Sequence, residues 1–94
     1  MKFDITTAAQ KDLREIGAYI ARDNPNRAIT FASELTAKIY QVGERPYSFP
    51  ERAEWREGLR CALHGHYQIL FVIRNDRPLI LRILHGARNI PEII

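Results

Sequence analysis

The sequence predicts an α+β fold of order β-αα-βββ, with a helical hairpin packed on one face of a mainly antiparallel sheet. Three observations carry that expectation. Two stretches between Thr7 and Gly43 repeat apolar residues at helical spacing and are divided by Asn24-Pro25. After Gly58 the pattern changes to three runs of alternating, β-branched and aliphatic character. A short alternating run precedes both.

Lys2 to Ile5 alternates polar and apolar residues, with Phe3 and Ile5 on one side, and reads as a short strand. Thr7-Ala8-Ala9-Gln10 fits a capping box, in which the threonine oxygen accepts from an early helical N–H while the glutamine reaches back. The helix that starts there has an apolar stripe of Ala9, Leu13, Ile16 and Ile20. Its polar face carries Lys11, Asp12, Arg14, Glu15 and Arg22. Asp23-Asn24-Pro25 interrupts it, because proline disfavours helical geometry in the residue before it yet suits the first position of a new helix capped by Asn24. The second helix buries Ala28, Phe31, Ala32, Leu35, Ile39 and Val42; Gly43 reads as its left-handed terminator, with Pro46 blocking resumption.

Residues 47 to 57 mix charges with Pro50 and the single tryptophan and read as an ordered loop, Trp55 serving either to anchor it on the core or as an interface anchor. Strands are expected over Leu59–Leu63, Tyr67–Arg74 and Leu79–His85, separated by His64-Gly65-His66 and by Asn75-Asp76-Arg77-Pro78. Alternation along strands assigns their faces. Leu59, Cys61, Leu63, Tyr67, Ile69, Phe71, Ile73, Leu79, Leu81 and Ile83 form the richer apolar set, expected to meet the helices. The other set is Arg60, Ala62, His64, Gln68, Leu70, Val72, Arg74, Ile80, Arg82 and Leu84. A half-apolar face rimmed by arginines is what another chain would cover.

Ninety-four residues, 46% hydrophobic and 27% charged, suit one globular domain spanning residues 1–94. No apolar run is long enough to span a bilayer and Met1-Lys2-Phe3-Asp4 lacks the apolar region of a signal peptide, so a cytoplasmic location away from membranes is expected. Cys61 is the only cysteine, which excludes an internal disulfide and a thiolate-cluster zinc site. His64 and His66 have no evident third ligand and read as turn residues; no metal and no cofactor is expected. Residues 1 to 55 hold eight Lys/Arg against eight Asp/Glu, whereas residues 56 to 94 hold six Arg against three acids, so the net charge of +3 lies in the second half. That asymmetry suits an anionic partner, whether nucleic acid or an acidic protein segment.

The segments Gly58-Leu59-Arg60, His66 to Ile73, and above all Arg82-Ile83-Leu84-His85-Gly86-Ala87-Arg88-Asn89 resemble the ParE toxins of the ParE/RelE superfamily. The likeness extends to Asp12-Leu13 on the first helix and to Asn24-Pro25, and so covers nearly the whole chain. It implies the β-αα-βββ fold, growth inhibition when free, and a cognate antitoxin encoded beside it and bound in a hetero-oligomer; the basic second half and the exposed aliphatics predict that this partner is acidic where it touches the chain. Proteins similar to ParE act on DNA gyrase; those similar to RelE cut messenger RNA on the ribosome.

Metal-free RNA cleavage needs a base for the ribose 2′-hydroxyl, cations for the phosphate and an acid for the leaving group. In RelE-like ribonucleases an arginine stands on the middle strand of the meander, where this sequence has Gln68; a second follows the last strand, where Arg88 matches. Their tail tyrosine has no counterpart in Ile90-Pro91-Glu92-Ile93-Ile94. The resemblance therefore favours gyrase, with Arg82, His85, Arg88 and Asn89 as target-binding candidates. Arg60, Leu70, Val72, Arg74, Ile80 and Arg82 are the antitoxin-binding candidates, on the sheet's second face. The alternative is a ribosome-dependent endoribonuclease in which Arg60, His85 and Arg88 improvise the chemistry. By alternation His85 belongs to the helix-facing set, so a partly buried structural histidine is its plainer reading, and a salt bridge is that of Arg88. The apolar tail Ile90 to Ile94 either packs on the sheet or meets a partner.

Overall fold

Two side-chain caps set the helical hairpin. In the computed structural model, which describes residues 2–86 and 89–94, the oxygen of Thr6 accepts from the Ala9 N–H at 3.0 Å and starts α1 (Thr7–Asp23). The side chain of Asn24 accepts from the Arg27 N–H at 3.0 Å and starts α2 (Pro25–Glu44) with proline in the first turn, as the sequence predicts. The cap of α1 is thus one residue earlier than Thr7. Thr6 also donates to the Leu81 carbonyl at 2.8 Å, so one hydroxyl caps the helix and hooks it to the sheet.

Gly43 does not terminate α2, which runs on to Glu44. Its role is close approach: a Cβ there would lie 3.3 Å from Lys2 Cβ and from the Phe3 ring. After a 3-10 turn over Pro46–Ser48, the sheet is built from β1 (Asp4–Ile5), β2 (Arg60–His64), β3 (Tyr67–Arg74) and β4 (Arg77–His85). Its order is β1-β4-β3-β2, antiparallel except for the parallel pair of β1 with β4. Asn75 and Asp76 both take positive φ, 52° and 61°, giving a tight two-residue hairpin, so Arg77 and Pro78 belong to β4 rather than to the connection. The tail forms a short helix, α3 (Ile90–Ile93), which the sequence does not signal.

The sheet is covered on both faces. On one side α1 and α2 bury Ala9, Ile16, Phe31, Leu35, Ile39 and Val42 against Phe3, Ala62, Ile69, Phe71, Ile80 and Ile83. On the other, Leu59, Cys61, Leu70, Val72, Leu84 and Ile90 form a second core, bordered by Trp55, Leu79, Leu81, Ile93 and Ile94. This corrects the expectation of an open second face. Burying aliphatics is favourable wherever a cover can be found, and here the chain supplies its own, from the Trp55 loop and from the tail.

The face assignment also changes in two strands. β3 follows the expected alternation, but β2 is inverted: Ala62 lies under the helices, while Leu59 and Cys61 belong to the second core and Leu63 is 62% exposed. In β4 the register passes from Leu70 opposite Arg82 to Phe71 opposite Ile80, leaving Leu81 as an extra residue. That bulge puts Ile80 among the helices and Leu79 and Leu81 on the other side, the reverse of strict alternation, whereas Ile83 and Leu84 beyond it are as expected. No helix among the described residues is long and apolar enough to cross a membrane.

Candidate functional site

The end of the sheet where β2 turns into β3 and β4 finishes gathers the aromatic and imidazole side chains. Register sets this up: Tyr67 opposes His64 on one side and His85 on the other. The Tyr67 and His85 rings meet edge to face at 5.2 Å, and His66 and His85 lie 5.9 Å apart between centroids. Phe31 of α2 continues the row, 5.3 Å from both Tyr67 and His64. The Gly86 N–H donates to the His66 carbonyl at 2.6 Å, and a Cβ on Gly86 would stand only 3.1 Å from that oxygen, so glycine lets the strand end close on the turn.

His85 lines two depressions. One is a cleft of about 400 Å³ between α1 and the ends of β3 and β4, walled by Asp12, Glu15, Ile16, Tyr19, Tyr67, Ile83, Leu84 and His85. The other, of about 350 Å³, lies across the strand ends and is lined by Leu63, Gly65, His66, Gln68, His85 and Gly86. Burial, and then the neighbouring Tyr19 phenol, raise the Tyr67 hydroxyl above its ordinary range, so it stays protonated and can donate. Among the described residues no group of three or more His, Cys, Asp or Glu is placed to hold a metal ion.

Arg82, expected on a partner-facing surface, is partly buried and engaged by its own chain. Its Nε and Nη2 donate to Asp12 Oδ2 at 2.7 Å and Oδ1 at 2.9 Å, and the Ile83 N–H donates to Oδ2 at 2.9 Å. The Asp12 hydrogen bonds raise Arg82 further above its ordinary range. Arg60 is likewise engaged by its own chain: it donates to the Phe49 carbonyl at 2.6 Å and to Glu51 at 3.1 Å, fixing the loop that precedes β2. It stands opposite Phe71, at the far end of β2 from the histidines, so Arg60 and His85 are not brought together.

His85 is exposed rather than partly buried, and Asn89 is exposed just before α3 with no side-chain cap bond. Arg88 lies outside the described residues. Of the antitoxin-binding candidates, Leu70 is fully buried and Val72 is 8% exposed in the second core, and Ile80 is fully buried beneath the helices. These three are removed from the surface by the chain's own packing. Arg74 remains exposed, opposite Arg77 at the hairpin.

Gln68, the residue at the middle-strand arginine position, is 7% exposed. Its oxygen lies 3.5 Å from Cys61 Sγ and its Nε2 donates to the Gly86 carbonyl at 3.3 Å. Burial pushes the Cys61 thiol up, away from reactive thiolate. Asp12, Glu15, Tyr19, Tyr67 and His66 escaped the sequence-based site. Asp12 did leave a signal, because it lies three residues after Ala9 and four before Ile16, on the buried stripe of α1.

Comparison with known proteins agrees with this fold. A structure of the chromosomal ParDE toxin-antitoxin system from P. aeruginosa superposes with a TM-score of 0.78 at 18% identity, covering 90% of this chain and 95% of that one. The toxin-antitoxin complex RelBE2 from Mycobacterium tuberculosis gives a TM-score of 0.58 at 22% identity, over 88% and 94% of the two chains. At such identities these likenesses establish the fold alone. Comparison with curated proteins gives no significant sequence match. The family model for the ParE toxin of the type II toxin-antitoxin system parDE matches residues 3–90, and the chain therefore belongs to that family of toxins.

Proposed function

We propose that this toxin acts by binding DNA gyrase, without bond-breaking chemistry of its own, and that a cognate acidic antitoxin holds it in check in a hetero-oligomer. The observation that carries the gyrase reading is Gln68: where RelE-like ribonucleases have an arginine on the middle strand, this chain has a neutral, buried amide tied to Cys61 and Gly86. Arg60, one of the two arginines considered for catalysis, is fixed to Phe49 and Glu51 at a distance from His85. The test is purified toxin with gyrase and relaxed plasmid. Loss of supercoiling, or a trapped cleavage complex, is expected; undisturbed supercoiling with no trapped complex rejects the reading.

A cytoplasmic location belongs to the same proposal, and the antitoxin is supported by membership of a type II toxin-antitoxin family and by the complexes in which the structural neighbours occur. The excess of arginines after residue 55 supports an acidic partner segment. The exposed candidates left for target and antitoxin contact are His85, Asn89 and Arg74, with Arg88 next to Asn89 in sequence.

One observation favours the ribonuclease alternative. His66, Tyr67 and His85 stand together at an open strand end, a set able to donate and accept protons. Translating ribosomes with added toxin would then yield new messenger 5′ ends, and their absence excludes it.

A further inference from the structure

We propose that the cleft between α1 and the ends of β3 and β4 receives an arginine side chain presented by a partner protein. The cleft has side-chain dimensions, about 400 Å³, and an apolar floor of Ile16 and Ile83. Tyr19, Tyr67 and His85 stand around it, from α1, β3 and β4. Tyr19 is 65% exposed, a large ring left at the mouth with little of its own surface buried.

Charge chooses among occupants. Both Asp12 oxygens are taken up by Arg82 and the Ile83 N–H. Glu15 is the other carboxylate in the wall, and its described ion pair, with Lys11 at 3.7 Å, has both side chains about two-thirds exposed, 69% and 64%. Such a pair is worth little and is easily exchanged. A phosphate or carboxylate entering the cleft would face Glu15, and Arg82, which reaches Asp12 in the wall, is already paired. A planar guanidinium instead finds ring faces to stack on and a carboxylate that accepts bidentately. A neutral base could stack on the same rings but would gain nothing from Glu15. Because the chain as a whole carries +3, attraction for a cation arises here only at contact range.

The experiment uses the whole chain, with aromatic resonances followed by NMR during titration with N-acetyl-arginine amide, its neutral citrulline analogue, and adenosine monophosphate. Saturable shifts of the Tyr19, Tyr67 and His85 signals are expected with the arginine compound alone. Glu15→Gln and Tyr19→Ala, both at exposed positions that leave the core intact, should each weaken binding by about two- to fivefold. The proposal is overturned if the three rings do not respond, if citrulline amide shifts them equally, if both variants bind as the parent does, or if adenosine monophosphate is the compound that saturates.

Discussion

At the scale of single residues, the Asp12 carboxylate joins α1 to β4, and it does so by accepting three hydrogen bonds from Arg82 and the Ile83 backbone. Its side chain is 8% exposed and that of Arg82 28%, so removing the carboxylate leaves a guanidinium and an N–H short of partners in a largely dry setting. Asp12→Ala should therefore cost about 2 to 4 kcal/mol in urea unfolding. The exposed Asp4–Arg77 pair, 2.9 Å long with side chains 59% and 43% exposed, serves as the control. Asp4→Ala should cost under about 1 kcal/mol. Equal losses in the two variants would show that Asp12 is no more than a surface partner. Spacing on α1 made Asp12 detectable, since it falls on the stripe of Ala9 and Ile16. Its identity as a charged residue argued the other way, because a helix pattern cannot show that an arginine some 70 residues later will meet it.

At the scale of elements, the helices were legible because each buries one apolar stripe, whereas β2, β3 and β4 bury residues on both faces, so alternation separates the faces without saying which one meets the helices; the assignment held for β3 and failed for β2 and the first part of β4. Parity then no longer marks the inside. On β2 the residue beneath α2 is the small Ala62, while its neighbours Arg60 and His64 turn their polar ends to Phe49, Glu51 and Glu34. His64 lies 2.8 Å from Glu34, which Arg27 also binds at 2.6 Å; these two partners, Arg27 first, hold the Glu34 carboxyl below its ordinary range and tie α2 to the strand end. On β4 the bulge at Leu81 flips the assignment of every residue before it, and no local composition announces it. The two assignments make opposite predictions for paired lysine substitutions. Leu63→Lys should change stability by no more than about 0.5 kcal/mol, since the side chain is already in water. Ile80→Lys, placing an ammonium where exposure is zero, should cost more than about 4 kcal/mol or prevent folding. Circular dichroism melts of both variants decide it, and the reverse order would restore simple alternation.

At the scale of the molecule, element order and the helix-covered core could be read from periodicity, but the fate of the second face could not, because a five-residue tail of Ile90-Pro91-Glu92-Ile93-Ile94 has too short a pattern to place. The structure places it on the sheet: Ile90 is 2% exposed, and Ile93 and Ile94 border the same core. The candidate surface for other proteins accordingly moves from the sheet face to the strand ends. If the tail is the cover, Ile90→Ala should cost about 2 to 4 kcal/mol, the cost of an aliphatic cavity in a closed core. That is a large share of the roughly 5 to 15 kcal/mol that holds a domain together. Ending the chain at Asn89 should go further and expose Leu70, Val72 and Leu84 to a hydrophobic dye under native conditions. Adding back a partner that binds only at the strand ends would leave that dye signal in place, whereas a partner that lies on the sheet would quench it. A parental urea midpoint for Ile90→Ala, together with no dye binding by the shortened chain, would return the second face to the list of surfaces that another chain must cover.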